Sequence, residues 1–394
     1  MTTAAMRNHR NHIDLVVLIA VLLLMVLSLG VVYSASSAWA LQRHGESEFF
    51  LGRHATKVVI GFLAILAVMH IDYHHYRRLT KPVLITAVGL LVITLVASGA
   101  VKGATRWLQI GGISFQPSEL AKYALVFHLA ALMAVKGERL RDFRQGFLPA
   151  MVWIVLVTLL IFLQPNFSTG AMLVAVSIVM LFLGRARMRH LALAGAAVVP
   201  FAVLFLLSAD YRLRRVLAFL QGEGGDANAH YQVLQGIIGF GNGGLLGLGP
   251  GGSRQREMFL PESYGDFVYA IIGEEYGLIG TVLVLALFVL ILVRGIRIAR
   301  HAPDTFGMYL AAGITITITF YAVVNAGVTL GLLPTTGLPM PLVSYGGSSM
   351  LFTAFAAGVL LNISTQTDLH PRLTPSQEGV RPMEPVKPAV GKIY

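Results

Sequence analysis

Leu15-Val16-Val17-Leu18-Ile19-Ala20-Val21-Leu22-Leu23-Leu24-Met25-Val26-Leu27-Ser28-Leu29-Gly30-Val31-Val32 forms the heart of an apolar run from Ile13 to Ser36. A membrane-spanning helix needs about 20 apolar residues. This run is too long for the core of a signal peptide and has no clear cleavage site, so it reads as an uncleaved first span. Further apolar runs follow at 55–71, 82–99, 118–135, 147–163, 169–184 and 190–208, then at 266–293, 306–333 and 346–363. The expected fold is an all-α polytopic membrane protein of about ten spans. Apolar residues run continuously instead of alternating with period two, which argues against a β-barrel.

The composition agrees. Of the 394 residues, 56% are hydrophobic and 12% charged, and mean hydropathy is +0.72. A soluble protein of this length needs far more polar surface, so a soluble enzyme, a disordered chain and a nucleic-acid-binding domain are excluded. The net charge of +11 reads as a topology signal rather than a nucleic-acid surface. With the N-terminus inside, 19 of the 30 Lys and Arg fall in cytoplasmic segments, among them Arg77, Arg78, Arg141, Arg185, Arg187 and Arg297. Both termini are therefore expected in the cytoplasm. The division is a cytoplasmic segment over 1–12, a membrane domain over 13–363 with a large extracytoplasmic loop at 209–265, and a disordered, proline-containing tail over 364–394. Cysteine is absent, which removes disulfides and thiolate chemistry.

The connections expected outside, 100–117, 164–168, 209–265 and 334–345, are dense in Gly, Pro, Trp, Asn and Ser. Joining two helices does not require such composition, so chemistry is expected on this face. Glu119 and Lys122 are spaced to pair on one helix face, either to lock the bundle or to hold a site for an anion. Asp266 opens a span, where a carboxylate can serve as a helix cap or face the outside loops. Glu274 and Glu275 lie two turns deeper; one is expected to face a polar cavity and at least one to have a structural partner. Gly239-Phe240-Gly241-Asn242-Gly243-Gly244 lacks the βαβ setting of a dinucleotide site. Its glycines suit tight turns and close backbone approach, to a phosphate among other things. Arg254 and Arg256, with Lys102, Arg106 and Lys122, form a candidate cationic site for pyrophosphate; contact with anionic lipid head groups is the plainer alternative. No H-x-x-x-H pair lies on a span, His74-His75 fall in a cytoplasmic connection, and no Walker A motif or nucleophile elbow is present.

In order along the chain, Gly103-Ala104-Thr105-Arg106-Trp107-Leu108, Gln116-Pro117-Ser118-Glu119-Leu120-Ala121-Lys122 and Gln164-Pro165-Asn166 resemble motifs of the SEDS family (shape, elongation, division and sporulation). So do Ser253-Arg254-Gln255-Arg256, Leu260-Pro261-Glu262 with Asp266-Phe267, and Ile272-Gly273-Glu274-Glu275-Tyr276-Gly277. Asn325, Gly331-Leu332-Leu333-Pro334-Thr335-Thr336-Gly337 and Ser344-Tyr345-Gly346-Gly347-Ser348-Ser349 complete the series. Val32-Tyr33-Ser34-Ala35-Ser36 and Pro334-Thr335-Thr336-Gly337 favour the division branch over the elongation branch. Asn166 stands where the family commonly has Asp, and Tyr264-Gly265 where it often has His-Thr.

The resemblance implies a peptidoglycan glycosyltransferase that polymerises lipid II at the outer face of the bacterial cytoplasmic membrane, at the division septum. It marks Asp266 as catalytic. Arg106, Trp107, Glu119, Lys122, Asn166, Ser253, Gln255, Arg256, Glu262, Ser344, Tyr345 and Gly346 are the expected substrate-binding residues. Lys122, which has a motif partner in Glu119, is expected to matter more than Lys57. The implied partners are a class B penicillin-binding transpeptidase, other membrane proteins of the division machinery and membrane lipids. No cofactor is required by the motifs; a divalent cation, Mg or Mn, would be compatible. The competing readings are an elongation-type polymerase, a flippase for the same lipid and a non-catalytic scaffold.

Overall fold

The computed structural model describes residues 12–97, 106–110, 113–207, 213–214, 219, 227–256, 260 and 263–369. The chain runs α1 (Leu15–His44), α2 (Phe49–Val68), α3 (His74–Ala97), β1 (Leu108–Ile110), β2 (Ile113–Phe115), α4 (Pro117–Lys136), α5 (Leu148–Leu163) and α6 (Phe167–Leu183). It continues with α7 (Met188–Leu207), α8 (Ala227–Gly243), α9 (Val268–Arg300), α10 (Thr305–Thr329) and α11 (Gly347–Ser364). A 3-10 turn (Gly137–Arg141) and a π-helical turn (Phe143–Phe147) join α4 to α5. Eight of the described helices are long and apolar enough to cross a membrane. The 17-residue α6 and the 20-residue α7 complete the ten expected runs. Bilayer hydrocarbon offers no partner for a backbone N–H or C=O, which is why the spans are helices.

Burial sorts the helices. The apolar windows of α4, α10 and α11 are 78, 67 and 72% buried, against 28% for α2 and α3. The first three form the centre; α2 and α3 turn Val59, Leu63, Ile85 and Ile93 outward, where lipid is the solvent. Close helix approach depends on small residues. A Cβ at Gly358 of α11 would lie 3.2 Å from the backbone of Ile65 in α2.

At one end of the bundle α1, α9 and α11 are tied together. Asp14 caps α1 by accepting from the Val17 N–H at 3.2 Å, its own N–H donates to Ser364 Oγ at 3.0 Å, and Arg294 of α9 grips its carboxylate at 2.7 and 2.9 Å.

The Gly-rich stretch approaches a broken helix. Gly277 (φ 63°, ψ −161°) interrupts α9. The interruption leaves backbone groups without intrahelical partners, and the loop after α8 supplies them. Leu248 and Gly249 donate N–H groups to the carbonyls of Glu274 and Glu275 at 2.9 and 3.0 Å, while Leu278 and Ile279 donate to the carbonyls of Gly244 and Leu245 at 2.9 and 3.2 Å. A Cβ at Gly247 would stand 2.1 Å from the Glu275 carbonyl oxygen, so only glycine fits. The close approach anticipated from the sequence is made here to the protein's own backbone.

Candidate functional site

Asp266 lies in the turn 263–267 that precedes α9, whose N-cap is Phe267 with no side-chain cap bond. The helix thus starts two residues later than the apolar run suggests, and Asp266 does not cap it. The turn is pinned from several sides. Ser263 Oγ donates to the Ala35 carbonyl of α1 at 3.0 Å. Asn325 Nδ2 of α10 donates to the carbonyls of Asp266 and Leu338 at 2.8 and 2.7 Å. Tyr345 N–H donates to the Tyr264 carbonyl at 2.9 Å. Asp266 is half-buried, and its Oδ2 is 3.7 Å from where a Cβ at Gly337 (φ 68°) would sit. That distance is ordinary contact, so it is the left-handed backbone at Gly337, not lack of space, that favours glycine there.

Beside this turn opens a cavity of about 1330 Å³, larger than most small-molecule sites. Its head is lined by Trp107, Gln109 and Ser114 of the β-hairpin, Tyr264 and Gly265 next to Asp266, Tyr345-Gly346-Gly347-Ser348, and Arg53 and Lys57 of α2. From there it runs between α2, α3, α4 and α11, past Ile60, Leu120, Leu351 and Phe352, to Tyr76, Leu79 and Phe355 near the opposite end of the bundle. The space is polar and cationic at one end and a long apolar groove beyond.

The head is stiffened by aromatic rings: Phe50 stacks on Tyr264 at 4.9 Å, and Tyr345 meets both edge-on at 5.5 Å. Lys57 Nζ sits 4.2 Å from the centre of the Tyr345 ring, a cation–π contact. Burial pushes the Tyr345 phenol above its ordinary pKa, with Arg53 acting the other way. The phenol is therefore a neutral O–H facing the cavity.

The residues expected from the sequence separate into three groups. Trp107, Tyr345 and Gly346 line the cavity head and Asp266 adjoins it. Ser344 lies just beneath, its Oγ accepting the Met340 N–H at 2.8 Å. A second group is sealed in the bundle. Glu119 and Lys122 pair at 2.7 Å with side chains 4% and 3% exposed, and Lys122 Nζ lies 4.4 Å from the centre of the Tyr321 ring. Neither lines the cavity. A third group holds other parts of the backbone. Arg106 donates to the carbonyls of Gln164 and Pro165, stapling the start of the hairpin to the α5–α6 turn. Asn166, buried at the N-cap of α6, makes no side-chain cap bond. Ser253 Oγ and the Gln255 N–H both donate to Glu274 Oε2, with Asn242 on Oε1, and the Arg256 N–H donates to Ser253 Oγ at 3.3 Å. Both deep glutamates have partners, since Glu275 accepts from Ser34 Oγ. Glu262 and Lys102 lie outside the described residues.

The cationic clamp drawn from Arg106, Lys122 and Arg256 is thus spread over three places. The cations on the cavity wall are Arg53 and Lys57, four residues apart on one face of α2. That spacing is visible in the sequence, but only the packing of α2 against α11 shows which face it occupies.

The family model for FtsW/RodA/SpoVE, described as a cell cycle protein, matches residues 14–369. The chain is 39% identical over 355 residues to the probable peptidoglycan glycosyltransferase FtsW of Geobacter metallireducens, covering 90% of this chain and 95% of the relative. It is 39% identical over 361 residues to stage V sporulation protein E of Bacillus subtilis, covering 91% and 99%. Among solved structures it resembles the rod shape determining protein RodA of Thermus thermophilus, with a TM-score of 0.65 and 26% identity over 89% of this chain and 96% of that one. A chain from a peptidoglycan synthase complex that coordinates polymerization and crosslinking aligns with a TM-score of 0.73 and 25% identity over 89% and 97%.

Proposed function

This chain belongs to the FtsW/RodA/SpoVE family of cell cycle proteins, and on that footing we propose that it is a division-type peptidoglycan glycosyltransferase that polymerises lipid II. The observation that carries the reading is the cavity itself: a groove long and apolar enough for a prenyl tail ends in a cationic head beside a fixed carboxylate. A soluble sugar nucleotide would have no use for the groove. The whole substrate would lie across the membrane boundary, tail in the groove and sugars at the outer face of the bacterial cytoplasmic membrane.

In the proposed reaction the 4-hydroxyl of the acceptor sugar attacks C1 of the donor sugar. The C1–O bond to the pyrophosphate breaks, lipid pyrophosphate leaves with the electron pair, and the hydroxyl proton passes to Asp266. Pyrophosphate is a good leaving group, so one carboxylate base suffices where a glycoside hydrolase uses two. Arg53 and Lys57 would stabilise the charge that develops on the pyrophosphate. Tyr345 and the backbone at Gly346-Gly347 would border the sugars. The role of Glu119 and Lys122 is to hold α4 in place, with Arg106 doing the same for the hairpin. A magnesium-like ion arriving with substrate would draw its ligands from the phosphates and Asp266, because no three His, Asp or Glu side chains gather among the described residues.

The likeness to a chain of a synthase complex that coordinates polymerization and crosslinking supports a class B penicillin-binding transpeptidase as partner, and the likeness to relatives named FtsW is what favours action at the septum. The test is polymerisation of labelled lipid II by the purified protein, with and without that partner. Glycan strands that form with the native chain and vanish with Asp266→Asn support the proposal. Strands made at the native rate by Asp266→Asn refute it.

A further inference from the structure

At the bundle end opposite Asp266, Arg141, Arg185 and Arg187 surround a recess of about 500 Å³. Basic residues on this face serve orientation in general, yet these are held differently from their neighbours. Arg141 ends the 3-10 turn after α4, whose Leu140 is buried against Gly184; a Cβ at Gly184 would stand 2.6 Å from the Leu140 side chain. Arg185 and Arg187 flank Ala186, which is buried. Two segments far apart in sequence are therefore locked together, and each turns its arginines out into one recess.

The backbone at Arg185 is the second observation. It stands at φ 61°, a conformation that disfavours any residue with a Cβ. Nine of the eleven other positive-φ positions among the described residues are glycine, Pro165 and Leu342 being the exceptions, so glycine would have been the easier choice. None of the three guanidinium groups makes a hydrogen bond or ion pair among the described residues. The nearby Asp142 carboxylate is engaged in capping the Gln145 N–H at 2.8 Å. Against the arginines stand Phe182 and Met188, 54% and 64% exposed. The recess thus joins forked donors suited to phosphate oxygens with apolar surface at the membrane boundary.

We propose that this recess binds the headgroup of an anionic phospholipid carrying two phosphates, a diphosphatidylglycerol, with its acyl chains against Phe182 and Met188. Basic pockets between spans on this face are suited to such lipids. The site is separate from the glycan-polymerising cavity and draws on none of its residues.

The full chain, purified in neutral detergent, is exposed to equal amounts of diphosphatidylglycerol, phosphatidylglycerol and phosphatidylcholine, and retained lipid is read by native mass spectrometry. The native protein retains the diphosphatidyl lipid preferentially. The combined variant Arg141→Gln, Arg185→Gln and Arg187→Gln loses about 10-fold of that retention. A control variant, Arg77→Gln, Arg78→Gln and Arg297→Gln, removes the same charge from the same face and leaves retention unchanged. Equal loss in both variants would make the effect a general field of basic loops and overturn the site. Displacement of the lipid by inorganic phosphate alone would show a free-phosphate site and overturn it too. Arg185→Gly guards against misfolding: it relieves the backbone, so melting temperature holds or rises while retention falls. Unchanged retention in Arg185→Gly refutes the proposal.

Discussion

Two sets of charge sit near the Asp266 end of the bundle, and they are built in opposite ways. Glu119 and Lys122 neutralise each other in a dry centre, 4% and 3% exposed. Arg53, Lys57 and Asp266 stand around an open cavity, attached to elements that other residues hold rigid. The first set has spent its charge on each other and fixes shape. The second stands at the edge of a space that a substrate can fill. Sequence motifs alone put Glu119 and Lys122 with Asp266 at the substrate and left Arg53 and Lys57 out. The structure shows that a motif can be read for its residues and still leave open whether they act on substrate or on the fold.

The sharpest break in that comparison comes at Asp266. Asp266→Asn keeps the side chain's shape and removes the base. Polymerisation of lipid II should fall by about 10²–10⁴-fold, with melting temperature unchanged. A large fall in melting temperature instead would move Asp266 into the structural set.

Next in size is the sealed pair. Lys122→Met leaves a buried carboxylate without its ion partner and should destabilise the protein by about 3–5 kcal/mol. Adding Glu119→Gln removes the orphaned charge and should restore most of that stability. The double variant should keep most of its polymerase activity, measured beside its thermal melt. An inactive but fully stable double variant would return the pair to the active site.

Lys57 gives the converse. Lys57→Ala should reduce polymerisation by about 10²-fold, the lower end of the range for a lost charge-stabilising donor, without a change in melting. The spacing of Glu119 and Lys122 in the sequence ranks Lys122 above Lys57 as a substrate contact. Activity loss per degree of melting lost reverses that ranking if the cavity wall is the site.

What could be read in advance follows how far each feature reaches along the chain. The spans were legible because each is a local apolar run; α6 differs from its run by two residues at its start. The sequence placed Asp266 at the opening of a span; the turn that holds it instead, pinned by Asn325 and Tyr345 from distant parts of the chain, was not legible. The pairing of Glu119 with Lys122 was legible too, as a contact within one helix turn. Their burial was not, because Tyr321 of α10 covers Lys122 from a distant part of the chain. Lys57 looked like a stray cation until the loop before α11 brought Tyr345 over it. The Gly-rich stretch needed the break at Gly277 before its glycines had a purpose.

The smallest expected effect lies on Asp72, between α2 and α3, a carboxylate that is partnered but half-exposed and so intermediate between the two sets. Burial opposes its ionisation, but hydrogen bonds from the His74 backbone N–H, Gln366 and the His74 ring outweigh that and hold its pKa down at about 2, against 3.8 unperturbed. His74 also bridges to Asp304 at 2.6 Å, joining the α2–α3 turn to the start of α10. Because the folded value is the lower one, the carboxylate stabilises the fold fully above 3.8 and loses that contribution as pH falls towards 2. Solvent screening at a side chain 37% exposed keeps the contribution below about 1 kcal/mol. Asp72→Asn should lower the melting temperature slightly at neutral pH and flatten its decline through that acid window, with polymerisation untouched. An acid decline identical to the native protein's would place the titrating group elsewhere. A loss of activity would mean that the end of the bundle far from Asp266 shapes the cavity, and the division between charges that hold and charges that act would have to be redrawn.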